Sequence, residues 1–438
     1  MIIRVCLAAV LLTPASAMAQ GNPGPYGKLF GRSAASSAGQ EHTTVEVRSS
    51  IGASYDDALL SPEGSPSDTP LQSGVSADGL AVLSVDHRSS MFVVNLSGGA
   101  GQGAYFIQPS SYGTTQYFAN AFASAKLSTR FEARATAGYI HSPSYQFFQG
   151  FGRGPVGQDP KNTIKPASLS YSAYATQMLE NETVAATASL ITSITEKSSL
   201  DLSVTQNQTQ FAQHPDDDVR INGYRATWSW QLQRGFGVHA GYSQEHIDLQ
   251  APDRLDYDSA LIDIGVDFNR QFSVARRTTL AFYTSTAVAK RDGAEKEFRV
   301  NGGVSLSKSF RRTWYAGVQA TRSTAFVPGF VEPLYSDTVS ASLGGMFSTR
   351  FDFAAMVSAA RGQSVFSDVS GFTSYTGTSQ LTFALGKHVG VYGSYLTYWY
   401  EVPENFFTFS VPGLMARQVV SAGLHFYLPV YEKVRQGQ

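Results

Sequence analysis

Gly223-Tyr224-Arg225-Ala226-Thr227-Trp228-Ser229-Trp230-Gln231-Leu232-Gln233 alternates strictly, with Tyr224, Ala226, Trp228, Trp230 and Leu232 on one side and the polar or small residues on the other. A period of two is that of an extended strand, whose successive side chains leave opposite faces. One face is oily and the other wet. The pattern recurs at Ala260, Ile262, Ile264, Val266 and Phe268, again at Phe298, Val300, Gly302, Val304 and Leu306, and once more at Val339, Ala341, Leu343, Gly345 and Phe347. These strands run to roughly 10 to 14 residues, against about 5 to 6 in soluble sheets and about 9 to 11 for a tilted membrane crossing.

Composition agrees, since 40 glycines, 22 tyrosines and 28 phenylalanines in 438 residues favour strands and turns. After residue 20 no stretch offers about 18 uninterrupted apolar residues, so membrane passage must use strands. Alternation alone fits either a soluble sandwich or a barrel in lipid, which turns its apolar rows outward. The N-terminus and the strand length select the barrel. Residues 1–19 read as a signal peptide: Arg4 supplies the charge, Val5 to Leu12 the apolar run, and Ala17-Met18-Ala19 the cleavage site. The single cysteine, Cys6, lies inside that segment, so the mature chain is expected to lack thiols, disulfides and thiolate metal sites. A formal net charge of −1, made one unit more negative when Arg4 leaves, argues against a nucleic-acid partner.

Turn signals punctuate the chain in two kinds. Short ones fall at Arg88-Ser89-Ser90, Leu127-Ser128-Thr129, Glu196-Lys197-Ser198, Gln233-Arg234-Gly235, Asn269 to Ala275, Phe310-Arg311-Arg312, Ser348-Thr349-Arg350 and Gly386-Lys387-His388. Longer connections fall at Leu60 to Ala77, Ser142 to Pro166, His214 to Val219, Val327 to Ser336 and Pro403 to Gly413. Short periplasmic turns and long outer loops are the barrel habit, and eight short turns give about 18 strands with both termini in the periplasm. The sixth strand starts anywhere from Leu169 to Val184, which leaves 16 strands open. The fold class read here is therefore all-β, a transmembrane antiparallel up-and-down barrel. It occupies residues 42–428, after a flexible periplasmic segment at 20–41 and before a polar C-terminal tail at 429–438. Trp230, Trp314 and Trp399 lie near strand ends, where amphipathic rings favour the headgroup zone.

The last strand carries the sharpest local signature. Ser421, Gly423, Phe426 and Leu428, spaced polar-x-Gly-x-x-aromatic-x-apolar, resemble the C-terminal targeting signal of outer-membrane barrels. That resemblance implies capture by the barrel-assembly machinery; physically, the open edge is removed when the last strand pairs with the first, near Thr43 to Tyr55. The chain departs from the pattern by continuing about ten residues past the strand. With the signal peptide and basic turns such as Ser307-Lys308-Ser309-Phe310-Arg311-Arg312, the whole chain resembles the porin-like outer-membrane barrels, some of which accompany exopolysaccharide secretion. The resemblance implies the bacterial outer membrane as location, lipid and lipopolysaccharide as surroundings, and a channel for hydrophilic solutes, with oligo- or polysaccharide and polysaccharide-export components as possible cargo and partners. A binding or adhesion barrel with aromatic outer loops is the alternative.

A barrel of this size leaves a wet interior. Its wall is expected to carry Arg134, Arg225, Glu245, Asp263, Asp267 and Arg299, charges of both signs that suit a weakly selective lumen. Two loops are rich in rings: Tyr145, Phe147, Phe148 and Phe151 beside Arg153, and Asn405-Phe406-Phe407-Thr408-Phe409. Rings so dense are costly on an open surface, so they either constrict the lumen and stack on sugars or pack together at the mouth. Catalytic readings fail: there is no Gly-x-Ser-x-Gly and no His-Glu-x-x-His. Asp263 and Asp267 stand about 13 Å apart along a strand, wider than the roughly 5 to 9.5 Å of glycosidase pairs. A Ser-His-Asp site assembled across strands, as in outer-membrane phospholipases, stays open to test. Gly98-Gly99-Ala100-Gly101-Gln102-Gly103 reads as a strand-to-loop transition, and His214-Pro215-Asp216-Asp217-Asp218 as a solvated acidic loop. No cofactor or metal is expected.

Overall fold

A strand satisfies its backbone only by pairing on both sides, and a ring of strands leaves no edge unpaired. The computed structural model describes residues 41–59, 72–107, 110–145, 178–233, 235–250, 257–271, 278–291, 297–310, 313–366, 371–403, 407 and 413–435. The first six strands are β1 (Glu41–Leu59), β2 (Gln72–Arg88), β3 (Phe92–Ile107), β4 (Ser110–Lys126), β5 (Phe131–Ser142) and β6 (Asn181–Thr195). Then come β7 (Ser198–Phe211), β8 (Val219–Gln233), β9 (Phe236–Leu249), β10 (Tyr257–Gln271), β11 (Thr278–Arg291) and β12 (Glu297–Phe310). The circuit is completed by β13 (Trp314–Ala325), β14 (Leu334–Ser348), β15 (Phe351–Ser364), β16 (Phe372–Ala384), β17 (Val389–Glu401) and β18 (Leu414–Arg435). Each strand pairs antiparallel with its neighbours in sequence, and β1 closes on β18 to complete an 18-stranded ring. Glu41 pairs with Arg435, so the first and last strands have their outer ends on the same rim, the one that carries the short turns.

Hydroxyls build several of those turns. Ser128 Oγ accepts from the amides of Arg130 and Phe131, Thr195 Oγ1 from those of Lys197 and Ser198, and Ser348 Oγ from that of Arg350. A side-chain oxygen that takes an amide two or three residues on mimics a backbone turn. Gly235 closes the β8–β9 turn at φ 77°, a conformation that costs glycine nothing.

The alternation resolves into an apolar outside. Tyr224, Trp228, Trp230, Ile262, Ile264, Phe298, Val300, Val339 and Phe347 are exposed on the outer face, Ile264 at 66%. Rings gather toward both rims. Trp314 stacks edge-on against Phe347 at 4.8 Å and its Nε1 donates to the Met346 carbonyl, while Tyr375 lies 5.3 Å from Trp399 at the opposite ends of β16 and β17. Tyr375 and Phe383 on β16 are about 27 Å apart along the strand, close to the roughly 25 Å apolar band of outer-membrane barrels once tilt is allowed for.

Several boundaries differ from the sequence reading. The strand count itself agrees, 18 as the eight short turns indicate, and the sixth strand begins at Asn181, within the range left open for it. Residues 429–435, read as tail, continue β18 and pair with Glu41 to Glu46. Their polarity misled because the strand passes a register shift beside Pro429, where a residue without an N–H fits. Gly98 to Gly103 lie inside β3 rather than at its end. Gly99 is needed for room: a Cβ there would come 2.5 Å from the Phe118 ring. Gln72 to Ala77, read as loop, begin β2, and Leu334 to Ser336 begin β14. Residues 1–40, which include the proposed signal peptide, lie outside the described residues.

Candidate functional site

Residues that alternate with the exposed apolar rows face the interior, and Arg134, Arg225, Glu245, Asp267 and Arg299 all belong to that set. Asp263 is on β10 opposite Gly241, with its side chain outside the described residues. On β5, Arg134 Nε donates to Glu132 Oε1 at 2.7 Å, and Glu132 Oε1 accepts from Ser124 at 2.8 Å. Arg225 Nε donates to Thr227 Oγ1 at 3.0 Å. Between these two arginines stands Asp201 of β7, which feels the charge of both. Glu132 and Asp201 were missed in the sequence because each is a single carboxylate on an alternating strand, with no local signal apart from its inward parity.

The rim opposite the short turns holds a buried apolar cluster. Tyr145 just beyond β5, Met178 and Leu179 before β6, and Phe211 of β7 meet Phe330, Leu334, Phe372, Tyr398, Tyr400 and Phe407 in one buried apolar cluster. These groups come from strands half the ring apart. Tyr145 lies 6.0 Å from Phe211 and 6.3 Å, edge-on, from Phe407, and its hydroxyl donates to the Pro328 carbonyl at 2.6 Å. Burial pushes that hydroxyl well above the usual phenol range, so it stays a donor. Phe330 and Phe407 are joined by an isolated antiparallel bridge, with their rings 4.6 Å apart. Val327-Pro328-Gly329-Phe330 delivers Phe330 there: the Phe330 amide donates to the Val327 carbonyl across Pro328 and Gly329, and Gly329 has φ 91°. Proline followed by a positive-φ glycine is a type II turn. Beside it, Phe326 packs with Val219, Ile221, Ile247 and Leu249.

Of the ring-rich loops, therefore, Tyr145 and Phe407 converge; Phe147, Phe148, Phe151, Arg153, Phe406 and Phe409 lie outside the described residues. The acidic loop forms a 3-10 turn, Pro215–Asp217, and Asp218 is buried rather than solvated. Its carboxylate accepts from the Phe211 amide at 2.8 Å and anchors the β7–β8 connection, while burial raises its pKa.

Behind the mouth, the seam between β18 and β1 carries a fully buried pair, Arg417 and Asp56, with Arg417 Nε 3.1 and 2.9 Å from the two carboxylate oxygens. At the short-turn end of the same seam Tyr427 donates to Glu46 at 2.9 Å. Of the closing-strand residues, Phe426 and Leu428 share the outward parity of Val420 and Leu424; Ser421 and Gly423 face inward. Gly423 sits where a Cβ would come 2.3 Å from the Ile51 carbonyl and 2.7 Å from the Tyr392 ring. On β16, Ser374, Thr376 and Thr378 point inward and are buried.

Among the described residues, one His–Asp contact faces inward. His239 Nδ1 is 2.7 Å from Asp267 Oδ2, with its ring folded onto Gly265 of β10, the strand on the far side from Ser229. Among the described residues no group of three His, Asp or Glu side chains is placed to hold a metal.

What the fold and site define is a large closed antiparallel barrel with a polar interior and an aromatic plug at one mouth. No family model and no curated protein matches the chain. Among solved structures it is similar to OccAB4 of Acinetobacter baumannii (TM-score 0.41, 9% identity, covering 88% of this chain and 98% of that one). It is similar also to OpdQ of Pseudomonas aeruginosa (0.41, 10%, 89% and 98%) and to the FrpB iron transporter of Neisseria meningitidis (0.46, 10%, 88% and 81%). None of these likenesses bears on what this chain binds or passes.

Proposed function

We propose that this chain is a bacterial outer-membrane channel for hydrophilic solutes, oligosaccharide among them, whose outer mouth rests in a closed state. The observation that carries the reading is the ring itself, closed by β1 and β18 with apolar rows outside and charges of both signs inside. Such a surface suits lipid, and such an interior suits water. The plug supports gating rather than a permanently open pore, since Tyr145, Phe330 and Phe407 exclude water where the channel would begin. The periplasmic placement of the termini, recognition of β18 by the assembly machinery, and any link to polysaccharide export belong to the same proposal.

Planar-bilayer recording tests it. Wild-type protein should insert and show rare, small steps, and Phe330→Ala with Phe407→Ala should raise the open fraction; added oligosaccharide should then shorten the openings. Silence from both proteins after verified insertion would refute the channel. That result would favour the second reading, a binding or adhesion barrel, which the filled mouth also supports.

A further inference from the structure

The outer surface of the plugged rim is not uniform. On β13, β14 and β15, Arg322, Asp337 and Arg361 stand in register, each on the outward face just beyond an exposed valine: Val318, Val339 and Val357. Arg322 grips Asp337 through two hydrogen bonds of 2.5 and 2.7 Å. The Tyr335 ring, two residues before Asp337 on the same outward face, lies 5.5 Å from the Arg322 guanidinium. Asp337 is thus engaged by Arg322, and Arg361 on its other side acts on it only through space. Across the ring the corresponding rim carries Glu180 and Glu182 around His141.

We infer that this rim is a binding site for the phosphate of a lipid headgroup, the phosphorylated sugar end of a lipopolysaccharide. Charge complementarity and continuity with the apolar band carry the inference. Acyl chains lie along Val318, Val339 and Val357, which brings the headgroup to the height of Arg361 and Arg322. A guanidinium presents paired N–H donors that match two phosphate oxygens. Asp337 holds Arg322 in place and leaves Arg361 to take the anion. The inference rests on the outer-membrane reading.

The test is lipid retention by the full chain, folded in detergent and checked by heat-modifiable migration. Wild type should retain diphosphorylated lipid A through purification, and Arg361→Gln should lower retention about fivefold, the effect of one basic side chain at a lipid surface. Dephosphorylated lipid A should bind wild type as weakly as the phosphorylated form binds the variant, and inorganic phosphate should not bind. Lys308→Gln, on the other rim, should leave retention unchanged. Equal retention by wild type and Arg361→Gln, an equal loss in Lys308→Gln, or indifference to phosphate would overturn the site. If the protein inserts into bilayers but fails these tests, only this inference falls; failure to insert would remove the membrane reading.

Discussion

Asp56 and Arg417 are 361 residues apart in the chain, yet they meet inside the seam with almost no exposure to solvent. A buried charge without its partner is costly, so Asp56→Ala should destabilise the barrel by about 3 to 5 kcal/mol, whereas Asp56→Leu with Arg417→Met should recover most of the loss. Urea unfolding in lipid vesicles, followed by tryptophan fluorescence, measures both; equal losses in the single and double variants would contradict the pairing. Gly423→Ala belongs to the same scale, because its Cβ has only 2.3 Å to the Ile51 carbonyl. It should lower the heat-modifiable, folded fraction, while Ala422→Gly, on the outer face, should not. Neither pair was visible in the sequence, since a partner hundreds of residues away leaves no local period. What the sequence did carry was parity: Arg225 and Trp228 fall on opposite faces, as their spacing demands.

Among the elements, the turn at Val327 to Phe330 decides the mouth. Gly329 has a φ that L residues avoid, and Gly329→Ala should cost about 1 to 2 kcal/mol locally. Phe330 should then leave its bridge to Phe407, which proteolysis or hydrogen exchange in the β13–β14 connection would report as faster opening. An unchanged exchange rate would mean the turn is not what holds the plug. Pro328-Gly329 marked a loop in the sequence, but that its phenylalanine meets Tyr145 and Phe407 depends on how a ring brings distant loops together. Strands were legible where alternation was unbroken, as on β8 and β12. The start of β6, the glycine-rich middle of β3 and the polar end of β18 were harder to read, because missing side chains or polar residues hide a period that pairing still enforces.

For the whole molecule, everything depends on which face meets lipid. Ile264, mid-strand on β10 and 66% exposed, sits in the apolar band; Ile264→Arg should cost about 2 to 4 kcal/mol in a bilayer, with far less change from Ser305→Arg on the inner face. The most direct measurement is a nitroxide scan of single cysteines along β15, in vesicles, with Cys6 the only native cysteine in the sequence. Positions 353, 355, 357 and 359 should be accessible to oxygen dissolved in the lipid, and positions 354, 356, 358 and 360 should not. A scan without a two-residue period, or one with its phase reversed, would contradict the membrane barrel.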